Sequence, residues 1–368
     1  MKEYNLNEKA LIVLDSYEGF EYKHKSAIVA LYNNIGEIFD NPTPAYSYVA
    51  KNLSENLANT LLNSACDKQS GYVEFVMNKL SKRGIEAITI LSENYPKRLK
   101  NLPLAPLVLY AKGNVGLLNA NHTFGIVGSR KTLPFVLKTG EAIASDLSRS
   151  GVVIVSGSAV GGDRSALLGG YESGNVISIL ANGHDYVYPQ SNRSLVDKIA
   201  QKGLVISEYP PEATSAPWRF PMRNRLISAF SDGVLILSGA EDSGTRHTAK
   251  FAEAYSKRMY AIPYSLGEKS GEICNLLIKI NKAQLVENSF DVAQGENIEL
   301  TEEVAPNLSD EEIEVLSVMD GETHVDKIAE LTGKKSFEII SILSMLEING
   351  IVSRGANNSY TALIKIKK

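Results

Sequence analysis

The sequence predicts an α/β protein built on a parallel sheet, with a small all-α domain before it and a winged-helix domain after it. Three observations carry this reading. Short apolar runs alternate with helical stretches between about residues 124 and 286, the texture of a buried parallel sheet covered by helices. The first ninety residues show apolar faces at helical spacing and no long alternating strand. The tail reads as helix, helix, helix, hairpin, which is the winged-helix order.

In chain order, the helical front rests on Ala10-Leu11-Ile12-Val13-Leu14, Ala27-Ile28-Val29-Ala30-Leu31 and the stretch from Val73 to Leu80. The texture changes after Tyr95-Pro96 and Leu102-Pro103. Strands are expected at Phe124 to Val127, Val152 to Val155, Val176 to Leu180, Leu204 to Ile206, Val234 to Leu237 and Met259 to Ile262. All are short and apolar, as strands buried on both faces should be. A polar, acidic stretch from Asn288 to Asp310 reads as a linker. Helices are then expected at Glu311 to Met319, Val325 to Leu331 and Ser336 to Asn349, with a hairpin of Ile351 to Arg354 and Tyr360 to Ile366. The expected division is 1–90 helical, 91–290 core, 291–308 linker and 309–368 winged helix.

Composition narrows the function classes. Of 368 residues 44% are hydrophobic and 22% charged, enough for a large core. The net charge of -4 argues against coating nucleic acid through bulk positive charge, so any such binding needs a local patch. No apolar run approaches the ~20 residues of a membrane helix, and Met1-Lys2-Glu3-Tyr4-Asn5 is unlike a signal peptide, so a cytoplasmic protein is expected. Cys66 and Cys274 lack the spacing of a metal or redox motif and read as reduced, buried thiols; no metal site is expected. The expected third helix of the tail is poor in Arg and Lys, which favours a structural or protein-contact role over duplex DNA. Arg354, Lys365, Lys367 and Lys368 keep a nucleic-acid role open.

Candidate chemistry gathers at strand ends, where parallel sheets bind ligands. Gly125-Ile126-Val127-Gly128-Ser129-Arg130 runs from a strand into a turn that admits close backbone approach and carries an Arg able to meet a phosphate, although glycine at such a turn is often only turn chemistry. Ser156-Gly157-Ser158-Ala159-Val160-Gly161-Gly162-Asp163 leads from a strand to a helix start, where free N–H groups suit an anion. Asp242-Ser243-Gly244-Thr245-Arg246-His247-Thr248-Ala249 does the same after Val234 to Leu237, although Ser243 or Thr245 could simply cap the helix. Neither G-x-G-x-x-G nor a Walker G-K-[ST] occurs in these loops, so NAD binding and ATP hydrolysis have no support and no cofactor is expected.

The fourth segment, Phe220-Pro221-Met222-Arg223-Asn224-Arg225-Leu226-Ile227, combines an aromatic, an amide and two arginines in one turn. A positive groove with a stacking ring is what single-stranded nucleic acid needs. The candidate contacts are Arg130, Ser156, Gly157, Phe220, Arg223, Asn224, Arg225, Ser243, Gly244 and Thr245. The bland alternatives are a Phe220 ring buried in a helix staple and arginines paired structurally with Asp232 or Glu208. Trp218 and Arg219 either extend the stacking surface or form a loop.

These pieces, taken in order, resemble the DNA-processing protein A family (DprA/Smf). The resemblance rests on Val127-Gly128-Ser129-Arg130; Ser156-Gly157 with Ala159, Gly161 and Asp163; Asn182-Gly183 through Tyr188-Pro189 and Asn192; Ser207-Glu208 with Pro210; Phe220 to Arg225; and Ser243-Gly244 with Thr248-Ala249. It implies an extended Rossmann-like core between a SAM-like helical front and a winged-helix tail. It also implies a non-catalytic homodimer that binds and protects single-stranded DNA and brings the RecA recombinase to it in natural transformation and recombination. The chain departs from the family pattern at Leu167, where a histidine is usual, at Ser238-Gly239, where Glu-Ala is usual, and at Pro263-Tyr264 in place of Pro-Gly.

Two rival readings stand beside it. Cytokinin-activating phosphoribohydrolases have a similar core with a Gly-Gly-x-Gly-Thr loop, which Ser243-Gly244-Thr245 and Glu253 echo in part. A transcriptional regulator would use the winged helix on duplex DNA and the core as a nucleotide sensor.

Overall fold

The structure, a computed structural model, describes residues 3–17, 20–65, 71–301, 308–348 and 351–362. Cys66, Lys365, Lys367, Lys368 and the end of the expected hairpin lie outside these. The chain forms two compact units, residues 1–301 and 302–368.

The first unit opens with helices α1 (Leu6–Asp15), α2 (Tyr22–Val29), α3 (Thr43–Asn52), α4 (Glu55–Thr60) and α5 (Tyr72–Lys82). Asn5 starts α1 with a capping box closed by Glu8. The apolar run Ala10 to Leu14 is buried with Ile28, Val49, Val76 and Leu80. The same cluster takes in Ala87, Val108 and Tyr110, so these helices cover one end of the sheet. Polar ties reinforce that contact. Ser92 donates to the Glu8 carboxylate at 2.6 Å, and the Tyr110 hydroxyl donates to Asp15 at 2.9 Å.

Nine strands make the sheet: β1 (Glu86–Thr89), β2 (Val108–Gly113), β3 (Thr123–Val127), β4 (Val153–Gly157), β5 (Val176–Ile179), β6 (Leu204–Ser207), β7 (Gly233–Ile236), β8 (Arg258–Ala261) and β9 (Gln284–Leu285). Their order is β1-β2-β6-β5-β4-β3-β7-β8-β9. From β6 to β9 every neighbouring pair is parallel, whereas β1 on β2 and β2 on β6 are antiparallel. The six expected strands are β3 to β8. Strand β1 corrects the expectation of helix up to about residue 90, and β2 was absent from the expected set. Each is defined by the neighbour it pairs with; Glu86-Ala87-Ile88-Thr89 taken alone has no alternating signature.

The helices that cover the sheet are α6 (Lys97–Lys100), α7 (Pro134–Arg149), α8 (Gly162–Tyr171), α9 (Arg193–Lys202), α10 (Arg219–Phe230), α11 (Thr245–Ala254), α12 (Glu272–Lys279) and α13 (Ser289–Glu296). Alternation along each strand sorts the two faces. Phe124, Ile126, Ile154, Leu235 and Leu237 pack on Val136, Ile143 and Leu147 of α7. Val127, Val153, Val155, Val234 and Ile236 pack on Leu226, Ile227 and Phe230 of α10, with Ala252 of α11 and Leu277 of α12. Burying one such side chain is worth roughly 1.5–3 kcal/mol. Helix α13 begins inside the stretch that reads as linker. Val292 joins the α7 cluster, and Ser289 donates to Asp146 at 2.7 Å.

The second unit contains α14 (Asp310–Ser317), β10 (Glu322–His324), α15 (Val325–Thr332), α16 (Ser336–Ile348), β11 (Val352–Arg354) and β12 (Ser359–Ala362). A capping box of Ser309 and Glu312 starts α14. The antiparallel sheet runs β10-β12-β11, and Val315, Ile328, Ile339, Leu343, Leu346, Val352 and Tyr360 form its core. No helix among the described residues is long and apolar enough to cross a membrane.

Candidate nucleic-acid interface

Strand order reverses at β3, which has β4 on one side and β7 on the other. A reversal of this kind opens a crevice at the carboxyl ends of the strands. Here it is a cleft of about 800 Å³ that joins the loops after β3, β4 and β7 to the first turns of α8, α10 and α11. Among its lining residues are Arg130, Phe220, Arg223, Asn224, Ser243, Gly244 and Thr245. Seven of the ten candidate residues therefore meet at one place.

The floor is a buried ion pair. Arg223, 3% exposed, places Nη2 at 3.6 Å from Asp163 Oδ2, donates from Nη1 to the Ile179 carbonyl, and donates from Nε to Asn224 Oδ1 at 3.1 Å. Asp163 also accepts from the Gly128 amide at 3.4 Å, which ties the β3 loop to α8. Burial disfavours both charges. It raises the Asp163 pKa against the pull of Arg223 and lowers that of Arg223 against the pull of Asp163. Gly157 makes the pair possible, because a Cβ there would lie 2.2 Å from Asp163 Oδ2 and 2.4 Å from Arg223 Nη2. Its role in the structure is room for this pair.

At the rim, the Arg130 guanidinium carbon lies 5.8 Å from the Phe220 ring centroid, within cation–π reach. Tyr188 meets the same ring edge-on, with centroids 5.7 Å apart and planes at 69°. Phe220 is half-buried at the cleft, so the ring is not swallowed in a helix staple. Lys131 and Lys269 are exposed on the lining and add positive charge, against Glu268.

The third wall is the start of α11. No side chain caps this helix, so neither Ser243 nor Thr245 spends its hydroxyl there. Asn224 Nδ2 donates to the Gly244 carbonyl at 3.3 Å, which joins α10 to this loop. Ser243 Oγ and Thr248 Oγ1 are buried with no partner among the described residues. Unsatisfied hydroxyls at a helix start are available to an anion or an amide-bearing base.

Three candidates lie elsewhere. Ser156 is fully buried, and its hydroxyl donates to the Ile126 carbonyl at 2.6 Å. Arg225 does not line the cleft and pairs with Glu208, a structural role and not a strand contact; the Glu208 pKa is raised by burial against the pull of Arg225. Gly157 is buried beneath the floor pair. Asp232 pairs instead with Arg98 at 2.7 Å. Glu253, which the phosphoribohydrolase reading needs near Thr245, is exposed and paired with Lys282.

The departures from the family pattern have defined partners in the fold. Ser238 accepts from the Ser129 amide at 2.8 Å and lies 2.5 Å from Thr132 Oγ1, fixing the Arg130 loop. Tyr264 donates to the Leu237 carbonyl at 2.9 Å. Leu167 is fully buried with Val176, Leu180 and Val196, a place that holds an apolar side chain. Tyr188, Lys131, Thr248 and Lys269 were absent from the candidate contacts. Tyr188 stands 32 positions before Phe220, and only the folded chain pairs them.

The model of DNA recombination-mediator protein A matches residues 86–297, which hold every strand of the large sheet and all the cleft residues. The chain belongs to this family. It is 35% identical over 230 residues to the DNA processing protein DprA of Bacillus subtilis, covering 62% of this chain and 77% of that one. Among solved structures, DNA processing protein A of Streptococcus pneumoniae superposes with a TM-score of 0.64 at 26% identity, over 82% of this chain and 100% of the other. DNA processing protein A of Helicobacter pylori, solved for its single-stranded DNA binding mode, gives 0.54 at 30% identity, over 58% of this chain and 97% of the other. Among the described residues of this family member no group of three or more His, Cys, Asp or Glu side chains could hold a metal ion.

Proposed function

We propose that the cleft binds single-stranded DNA without cleaving it, and that the protein delivers the strand to the RecA recombinase as a homodimer in transformation or recombination. The observation that carries this is the rim, where an exposed guanidinium, a half-buried phenyl ring and a tyrosine form a stacking site beside lysines. A base has a face to stack on and its phosphates have cations to meet, which a duplex with paired, inward bases cannot use. The relative from Helicobacter pylori supports the ligand class by its single-stranded DNA binding mode. On this reading Arg130, Phe220, Asn224, Ser243, Gly244 and Thr245 touch the strand, while Arg223 shapes the floor. The first unit is then a helical front on an extended Rossmann-like core, and the second, with its helices and three-stranded sheet, is a winged-helix domain. The placement of Glu253 weighs against the phosphoribohydrolase alternative.

The test is titration of a fluorescent single strand with the full-length protein, with duplex of the same sequence as competitor. Binding that duplex fails to displace agrees with the proposal. Equal competition by duplex contradicts it.

A further inference from the structure

We infer that the strand path continues beyond the cleft onto a second stacking site made by Trp218 with Arg219 and Tyr209. This inference rests on the single-strand reading above and concerns residues that do not line the cleft.

Trp218 is 60% exposed, and it is the only tryptophan in the chain. Isolated exposed apolar residues need no explanation, but this one is braced. Tyr209 meets it edge-on, with ring centroids 6.3 Å apart and planes at 84°. The Arg219 guanidinium carbon lies 4.4 Å from the Tyr209 centroid and 5.3 Å from that of Trp218. Arg219 is itself anchored, because Nη1 donates to the Thr214 carbonyl at 2.5 Å. An indole held by an edge-on ring and a fixed guanidinium loses little side-chain freedom when a base stacks on it. The cation alongside serves the neighbouring phosphate.

Position connects the two sites. Trp218 precedes α10 and Phe220 lies in its first turn, so they are two residues apart in sequence and point to different sides of the helix start. On this path a strand leaving the Phe220 ring crosses the helix start towards Arg219 and Trp218. Tyr188, 44% exposed and in contact with Phe220, extends the first site on its other side. The two platforms together describe a track several bases long. It reads bases by stacking, and therefore without sequence preference.

The single tryptophan supplies the experiment. Full-length protein is titrated with oligothymidylates of increasing length while intrinsic fluorescence and the anisotropy of a labelled oligonucleotide are followed together. The expected result is binding by anisotropy at all but the shortest lengths, with tryptophan quenching that appears only once the oligonucleotide is long enough to leave the cleft. Trp218→Leu should weaken the long oligonucleotide about five-fold or more, as loss of one stacked base does, and leave the short one unchanged. Trp218→Phe, which keeps a ring, should restore most of the difference. Tight binding with no quenching at any length would overturn the second site while leaving the cleft reading intact. Fluorescence that changes with protein concentration in the absence of DNA, and not on adding it, would assign Trp218 to a contact between copies and also overturn it. No binding by anisotropy would overturn the cleft reading, and this inference with it.

Discussion

At the scale of single residues, the cleft depends on a glycine that does not line it. Gly157 has no side chain to offer a ligand, yet any Cβ there collides with both partners of the Asp163–Arg223 pair. Gly157→Ala should therefore expel one partner and leave the other charge buried, a loss on the order of 3–5 kcal/mol of stability. Thermal or urea unfolding checks this; a variant as stable as the parent would show that the pair has another way to settle. Phe220→Ala should cost roughly 1–3 kcal/mol of single-strand affinity with stability nearly unchanged, since the ring is half-exposed, and Phe220→Trp should keep the affinity. The same residues show what the sequence discloses. Arg130, Phe220 and Asn224 were readable as candidates because aromatic, amide and guanidinium side chains sit at a helix start or strand end, and the fold brings them to one cleft. Ser156 and Gly157 read as strand contacts on the same grounds, and the fold corrects both, because burial behind a surface is set by partners tens of positions away.

At the scale of elements, helix α10 divides Arg223 and Arg225 between two tasks. Arg223 goes to the cleft floor, while Arg225 goes to Glu208 just past β6. In that second pair Arg225 Nε, Arg225 Nη1 and Glu208 Oε1 have no partner among the described residues. A buried pair so incompletely satisfied gives little net stability, though either charge left alone is costly. Arg225→Met alone should destabilise by about 3–5 kcal/mol, and adding Glu208→Leu should recover most of it. A double variant no better than the single would contradict this. The sequence motif offered both arginines equally, and helical geometry decides between them: residues two apart face different sides. The strands divide in the same way. Those from β3 to β8 were legible because they are buried on both faces and written in apolar runs. Strands β1 and β2 were not, because an antiparallel extension under the N-terminal helices takes its identity from the pairing and not from its own pattern.

At the scale of the whole molecule, acid sensitivity and ligand binding both follow from how the pieces meet. His184, in the loop after β5, is buried and donates from Nε2 to the Tyr110 carbonyl of β2 at 2.8 Å. Burial lowers its pKa from 6.5 to about 4. The unfolded chain therefore takes up this proton first as pH falls. The stability is fully present above about pH 6.5 and is lost towards pH 4, by on the order of 3 kcal/mol. Asp163 and Glu208 have raised pKa values and act with the opposite sign, so the comparison must be with His184→Gln, whose stability should fall less steeply over that window. Parallel curves for the two proteins would remove His184 as the cause.

The acidic total charge makes a further demand on the whole chain. On the proposed reading, binding comes from a few cations along the strand path, so log affinity against log salt should fall by about 0.7 per phosphate neutralised, with Arg130→Ala lowering the slope by about one such step. A slope that implies ten or more phosphates per protomer would contradict a localised site. The most direct measurement of the central claim is the affinity of the full-length protein, of Arg130→Ala and of Phe220→Ala for one fluorescent single strand in the presence of excess duplex. Duplex-resistant binding that both substitutions weaken is the expected result. Binding that neither substitution changes would contradict it.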